Sequence, residues 1–205
     1  MRAWRAAILR FDPSRDPHHA AVLEEDGLLV TGPGPAGVET VQAVGPYHTL
    51  ASQFAHLETV HLPGRIIAPG FIDLHVHYPQ TDIIGSPASG LLPWLENHTF
   101  PEENRFYALD YCAHIASFFI AELLRNGVTS ALAFATSHVE SVNALFQEAS
   151  LRHLRLMTGL CLMDRNAPEG LLQPTEQSLI DTEALIQQWH GKDRLGYAIT
   201  PRFAP

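Results

Sequence analysis

The chain has 205 residues, 46% of them hydrophobic and 17% charged, which is ample apolar material for a core and too few charges for a disordered chain. Thirteen Lys and Arg against 22 Asp and Glu give a net charge of −9, which argues against a binder of nucleic acid or of an anionic lipid surface. No stretch approaches the ~20 apolar residues of a membrane span, charges at Arg2, Arg5, Arg10 and Asp12 break up any secretory signal, and Cys112 and Cys161 read as free buried thiols, so a soluble cytoplasmic protein is expected.

The first part reads as short strands. Arg5–Phe11 is apolar and closed by Asp12-Pro13; Ala20–Leu23 and Leu28–Thr31 flank Glu25-Asp26-Gly27, a hairpin signal. Gly32-Pro33-Gly34-Pro35 breaks the chain, and residues 38–63 carry no clear pattern. A small β-rich module over residues 1–68 fits these pieces. Ile66 to His77 then forms a strand-length run, followed by a long connection from Tyr78 to Asn104 of the kind that is usually functional. Phe106–Arg125 has helical spacing at Leu109, Cys112, Ala116, Phe119 and Leu123, and Asn126-Gly127 supplies its stop. Val128–Ala135 reads as a buried strand, and Ser137 with Glu140 as a capping box for the next helix. Leu154–Met163 is a further strand. Thr175–His190 is a helix with Leu179, Ile186 and Trp189 on one side, and Leu195–Thr200 is the last strand.

Apolar strands alternating with amphipathic helices predict an α/β domain with a parallel sheet. A (β/α)₈ barrel takes about 250 residues, so residues 69–205, with four strands, amount to half of one. A small open parallel sheet is allowed by the same string. His75 and His77, two apart on a strand, point to one face, at the strand's C-terminal end. In a barrel that end carries the active site. Two neutral imidazoles there suit Zn²⁺ or Fe²⁺.

The string from Leu62 to His77, Leu-Pro-Gly-Arg-Ile-Ile-Ala-Pro-Gly-Phe-Ile-Asp-Leu-His-Val-His, resembles the entry into the barrel of the amidohydrolase superfamily, in the subgroup of hydrolytic deaminases where a β-sandwich precedes the barrel. His77-Tyr78-Pro79-Gln80, the segment Leu92–Glu102 and Thr200-Pro201-Arg202-Phe203 resemble the guanine deaminase family within it. The resemblance implies the N-terminal portion of a (β/α)₈ metal-dependent hydrolase, with about four of eight βα units, behind a β-sandwich module. His75 and His77 would be metal ligands for one Zn²⁺, or Fe²⁺, and guanine the substrate, deaminated hydrolytically to xanthine. Gln80 would meet the purine edge with both donor and acceptor. Arg202 would offer a donor fork to O6 and N7, and Phe203 would stack on the base. On a regular strand Arg202 and Phe203 face opposite ways, so both reach one ligand only where the strand has ended or bulged.

Trp94 reads equally as a pocket wall and as a packed loop residue. Asp73, on the same face as His75, reads as an outer partner of the metal site or as a hydrogen-bonded carboxylate. His18, His19, His98, His114, His138, His153 and His190 lack ligand spacing. Relatives with two metals carry a bridging lysine at the end of the fourth strand, where this chain has Thr200–Phe203 and its one lysine, Lys192, comes before the strand, so the resemblance implies one metal. The family's further histidines, its acidic proton shuttle and an aspartate would lie beyond Pro205, which leaves no general acid/base among these residues. A homodimer is implied for the complete enzyme. The rival readings are a relative acting on another heterocycle and a non-catalytic truncated relative.

Overall fold

The computed structural model describes residues 1–35 and 38–202. The chain divides into two compact units, Met1–Pro69 and Gly70–Pro205. The first unit contains β1 (Arg2–Phe11), β2 (Ala21–Pro33), β3 (Glu39–Pro46), a single helical turn α1 (Tyr47–Leu50) and β4 (Thr59–Ile67). These strands form one sheet in the order β3-β2-β1-β4, antiparallel except for the parallel β1–β4 pair. Ala3, Leu28 and Val30 form a buried cluster in it, with Tyr47, Leu50 and Phe54 packed against them, and Ala6 and Ile8 are buried as well.

The hairpin expected at Glu25-Asp26-Gly27 is not there. β2 runs unbroken through it, and the chain reverses at Asp12–Ala20 instead, where the Asp12 N–H donates to the Ala20 carbonyl at 2.8 Å. Glu25-Asp26, next to Gly27, form a bulge: Ala6 pairs with Gly27 but Ile8 with Glu24, so β2 sets two residues against Ala7. A glycine inside a strand signals a bulge as readily as a turn. The run from Ile66 to His77 is likewise two strands, because Ala68-Pro69-Gly70 interrupts it and β4 ends at Ile67.

The second unit opens with β5 (Phe71–His77). The connection after it is helical rather than irregular: a 3₁₀ segment over Tyr78–Ile83, α2 (Leu91–Trp94), a wide turn over Leu95–Thr99 and α3 (Phe100–Asn104). Then come α4 (Leu109–Arg125), β6 (Val128–Phe134), α5 (Val139–Leu151), β7 (Arg155–Thr158), β8 (Cys161–Leu162), α6 (Thr175–Trp189), β9 (Leu195–Tyr197) and β10 (Thr200–Pro201). The sheet is wholly parallel in the order β5-β6-β7-β9. Parallel crossovers share one hand, so a strand order that follows the sequence sends successive helices to the same side; α4 packs on α5, and α5 on α6. Ile115, Ile120, Leu145, Phe146, Leu156 and Leu160 are fully buried between helices and sheet.

Two expected strands are each split. β7 with β8, and β9 with β10, keep the same parallel register on either side of a break at Gly159-Leu160 and Ala198-Ile199. Gly159 is required there, since a Cβ would lie 1.9 Å from the Ala198 carbonyl oxygen. The Leu160 N–H, lost to the ladder, donates to the Tyr197 hydroxyl at 3.0 Å. Gly127, at φ 78°, ends α4 where the sequence placed its stop. The capping box does not form: α5 starts after His138 without a side-chain cap. Thr136 and Ser141 tie that corner instead, with the His138 N–H donating to Thr136 Oγ1 and the Ser141 hydroxyl to the His138 carbonyl. On α6, Leu185 is buried with Ile186 and Trp189 packed beside it, but Leu179 is 60% exposed, contrary to the expected face. Cys112 and Cys161 are free and buried. No single helix among the described residues is long and apolar enough to cross a membrane.

Candidate active site

The site lies where β5, β6 and β10 end and the helical connection begins. Alternation along β5 sends His75 and His77 to one face, their ring centroids 5.2 Å apart. Phe134, the last residue of β6, stacks on the His77 ring at 4.7 Å and 10° and meets the His75 ring edge-on at 5.4 Å. His77 is half-buried, and its Nδ1 is enclosed without a hydrogen-bond partner. Burial, then the Arg202 charge, then His75 push its pKa down to about 4, so the ring is neutral and offers a lone pair. An orphaned ring nitrogen beside a second imidazole fits a metal cation, which is the partner a buried polar atom otherwise lacks. Among the described residues no group of three or more His, Cys, Asp or Glu is placed to hold a metal.

Asp73 supports this end of the strand through the backbone, accepting the His75 N–H at 3.0 Å. Trp94 is partly buried against the small cluster of Leu95, Phe100, Cys161, Met163 and Leu171.

Arg202 follows directly on β10, its N–H donating to the Leu162 carbonyl at 3.0 Å. Its guanidinium Nη1 donates to both carboxylate oxygens of Glu103 on α3, at 2.9 and 2.8 Å. The side chains are 12% and 0% exposed, so this is a buried ion pair. Gln80 lies in the 3₁₀ segment after β5, and α3, which carries Glu103, packs against that segment. Burial pushes the Glu103 pKa up, while Arg202 and Gln80 hold it down. The thiol of Cys161, on β8, is pushed up to about 11, first by burial. Thus His75, His77, Gln80 and Arg202 fall at one end of the sheet, whereas Phe203 lies outside the described residues.

Sequence reading missed Glu103 and Phe134. Glu103 stands one residue past the quoted Leu92–Glu102 segment, and its partner is 99 residues away, so no local pattern announces the pair. Phe134 had one available signal, its place at the end of the strand beside His77.

The sequence profile of the amidohydrolase family matches residues 66–205. Guanine deaminase of Escherichia coli K12 is 45% identical over 182 residues, 88% of this chain and 40% of that protein. The solved structure of E. coli guanine deaminase superposes with a TM-score of 0.91 at 40% identity, over 100% of this chain and 48% of that one. A guanine deaminase from C. acetobutylicum, solved with guanine bound in its active site, gives a TM-score of 0.87 at 30% identity, over 100% of this chain and 46% of that one. The chain therefore spans less than half the length of these relatives.

Proposed function

The chain belongs to the amidohydrolase family, and we propose that it is the N-terminal part of an enzyme that hydrolyses guanine to xanthine and ammonia. One observation carries this reading: Arg202, paired with the buried Glu103 carboxylate, and Gln80 lie at the sheet end that holds the His75/His77 pair. A donor fork and an amide at a metal-competent strand end match a neutral heterocycle whose edge alternates acceptors and donors. The similarity to guanine deaminases supports the same substrate.

In this reading the parallel sheet and its helices are about half of a (β/α)₈ barrel, and the sheet of residues 1–68 is part of a β-sandwich. His75 and His77 hold one divalent cation, Zn²⁺ or Fe²⁺. When bound, the cation supplies a water acidic enough to act near neutral pH. Catalytic zinc sites use three or more protein ligands, so the remaining donors and the general acid/base belong to segments outside residues 1–205. Phe134 keeps the imidazoles oriented by stacking and shields them from bulk water. Arg202 offers donors to the purine oxygen, Gln80 reads the neighbouring ring position, and Phe203 covers the base. The water oxygen adds at C2, the bond from C2 to the exocyclic nitrogen breaks, and that nitrogen leaves as ammonia after taking up a proton. The whole protein acts as a cytoplasmic homodimer, with no nucleic acid or membrane partner.

The test is guanine turnover by the gene product as its source cell makes it, with adenine, cytosine and a triazine as competing substrates. Replacing Arg202 by Ala is expected to lower kcat/KM for guanine by about 1–3 kcal/mol of lost base-edge contact. An unchanged kcat/KM removes Arg202 from substrate binding. Preference for another heterocycle, or no turnover of any together with no bound metal, replaces the guanine reading.

A further inference from the structure

A fully buried carboxylate is costly unless its charge is matched, and so is a buried guanidinium. Glu103 and Arg202 match each other, with both carboxylate oxygens on Nη1 and side chains 0% and 12% exposed. Guanine is neutral, so it cannot balance the arginine charge; a carboxylate behind the guanidinium can. α3 also packs against the segment Tyr78–Ile83 that follows the His75/His77 strand. An ionised carboxylate only accepts hydrogen bonds, and both Glu103 oxygens take theirs from Arg202 Nη1.

We propose that Glu103 is a positioning residue for purine selectivity. It holds the Arg202 guanidinium in place, so that its donors meet the C6=O of guanine. 2-Aminopurine keeps the reacting C2 amino group but lacks that oxygen, and is rejected. This inference rests on the guanine reading above and adds to it the residue that fixes the arginine.

The experiment compares kcat/KM for guanine and for 2-aminopurine in the wild-type gene product and in Glu103→Gln, with the thermal midpoint of each. The glutamine replacement carries no charge and only one acceptor oxygen, so it no longer holds the Arg202 guanidinium in place. The guanine to 2-aminopurine ratio is expected to fall about 10- to 100-fold, chiefly through a raised KM for guanine. A role confined to stability would lower the thermal midpoint and leave the ratio alone. If Glu103→Gln does not fold, Glu103→Asp keeps the charge but withdraws it by one methylene, and the same fall is expected. A folded variant with the wild-type ratio overturns the positioning role while guanine turnover stands. A wild-type protein that does not turn over guanine overturns the guanine reading itself, and the inference with it.

Discussion

Single side chains at the strand ends are held by partners far along the chain. His75 and His77 were readable as a pair because strand alternation is local, and their Phe134 stacking partner comes from the neighbouring strand. Arg202 reads from the sequence as a free donor fork, yet one of its nitrogens is committed to Glu103. A second half-buried imidazole, His138, has an enclosed Nε2 with no hydrogen-bond partner, and burial lowers its pKa from 6.5. A base with a depressed folded pKa is protonated more readily in the unfolded chain, so stability is lost as pH falls below about 6.5. The thermal midpoint of wild type should therefore drop between roughly pH 7 and pH 5, and His138→Leu should drop less. Parallel melting curves would contradict this.

Helices and strands were legible in the second unit wherever apolar spacing was strong. α4 and β6 fall within a few residues of their expected bounds, and Gly127 stops α4 as read. Expected faces were less secure. Ile120 is fully buried on α4, whereas Leu179 on α6 is 60% exposed. Ile120→Ala should cost about 2–5 kcal/mol in denaturant unfolding, while Leu179→Ala should stay within about 0.5 kcal/mol of wild type. Equal losses at the two sites would show that the α6 face is assigned wrongly. The split of each late strand was not visible in advance, because Leu160-Cys161-Leu162 and Ala198-Ile199 stay apolar across the two breaks and only the contact of Gly159 with Ala198 requires them.

For the molecule as a whole, the parallel sheet has β5 at one edge, and that strand exposes Phe71, Ile72 and Leu74. Apolar side chains on an unpaired edge invite association. The 205-residue chain by itself should therefore self-associate in sedimentation experiments at micromolar concentration, and Phe71→Lys with Leu74→Lys should reduce that association. A monodisperse monomer at all concentrations would count against it. The chain covers 40% of the E. coli relative's length, and the same residues should be protected in a longer protein that pairs this edge.

Strand–helix alternation settled the α/β class and the parallel sheet, and the resemblance of the string from Leu62 to His77 pointed to the family whose profile matches residues 66–205, since each depends on neighbours a few positions apart. The bulge at Glu25-Asp26 beside Gly27, the helical connection after β5 and the Arg202–Glu103 pair depended on tertiary structure. A glycine signals turn and bulge alike, and which one forms depends on what the opposite strand presents. A buried charge reveals its partner only after folding removes the water that would otherwise solvate both.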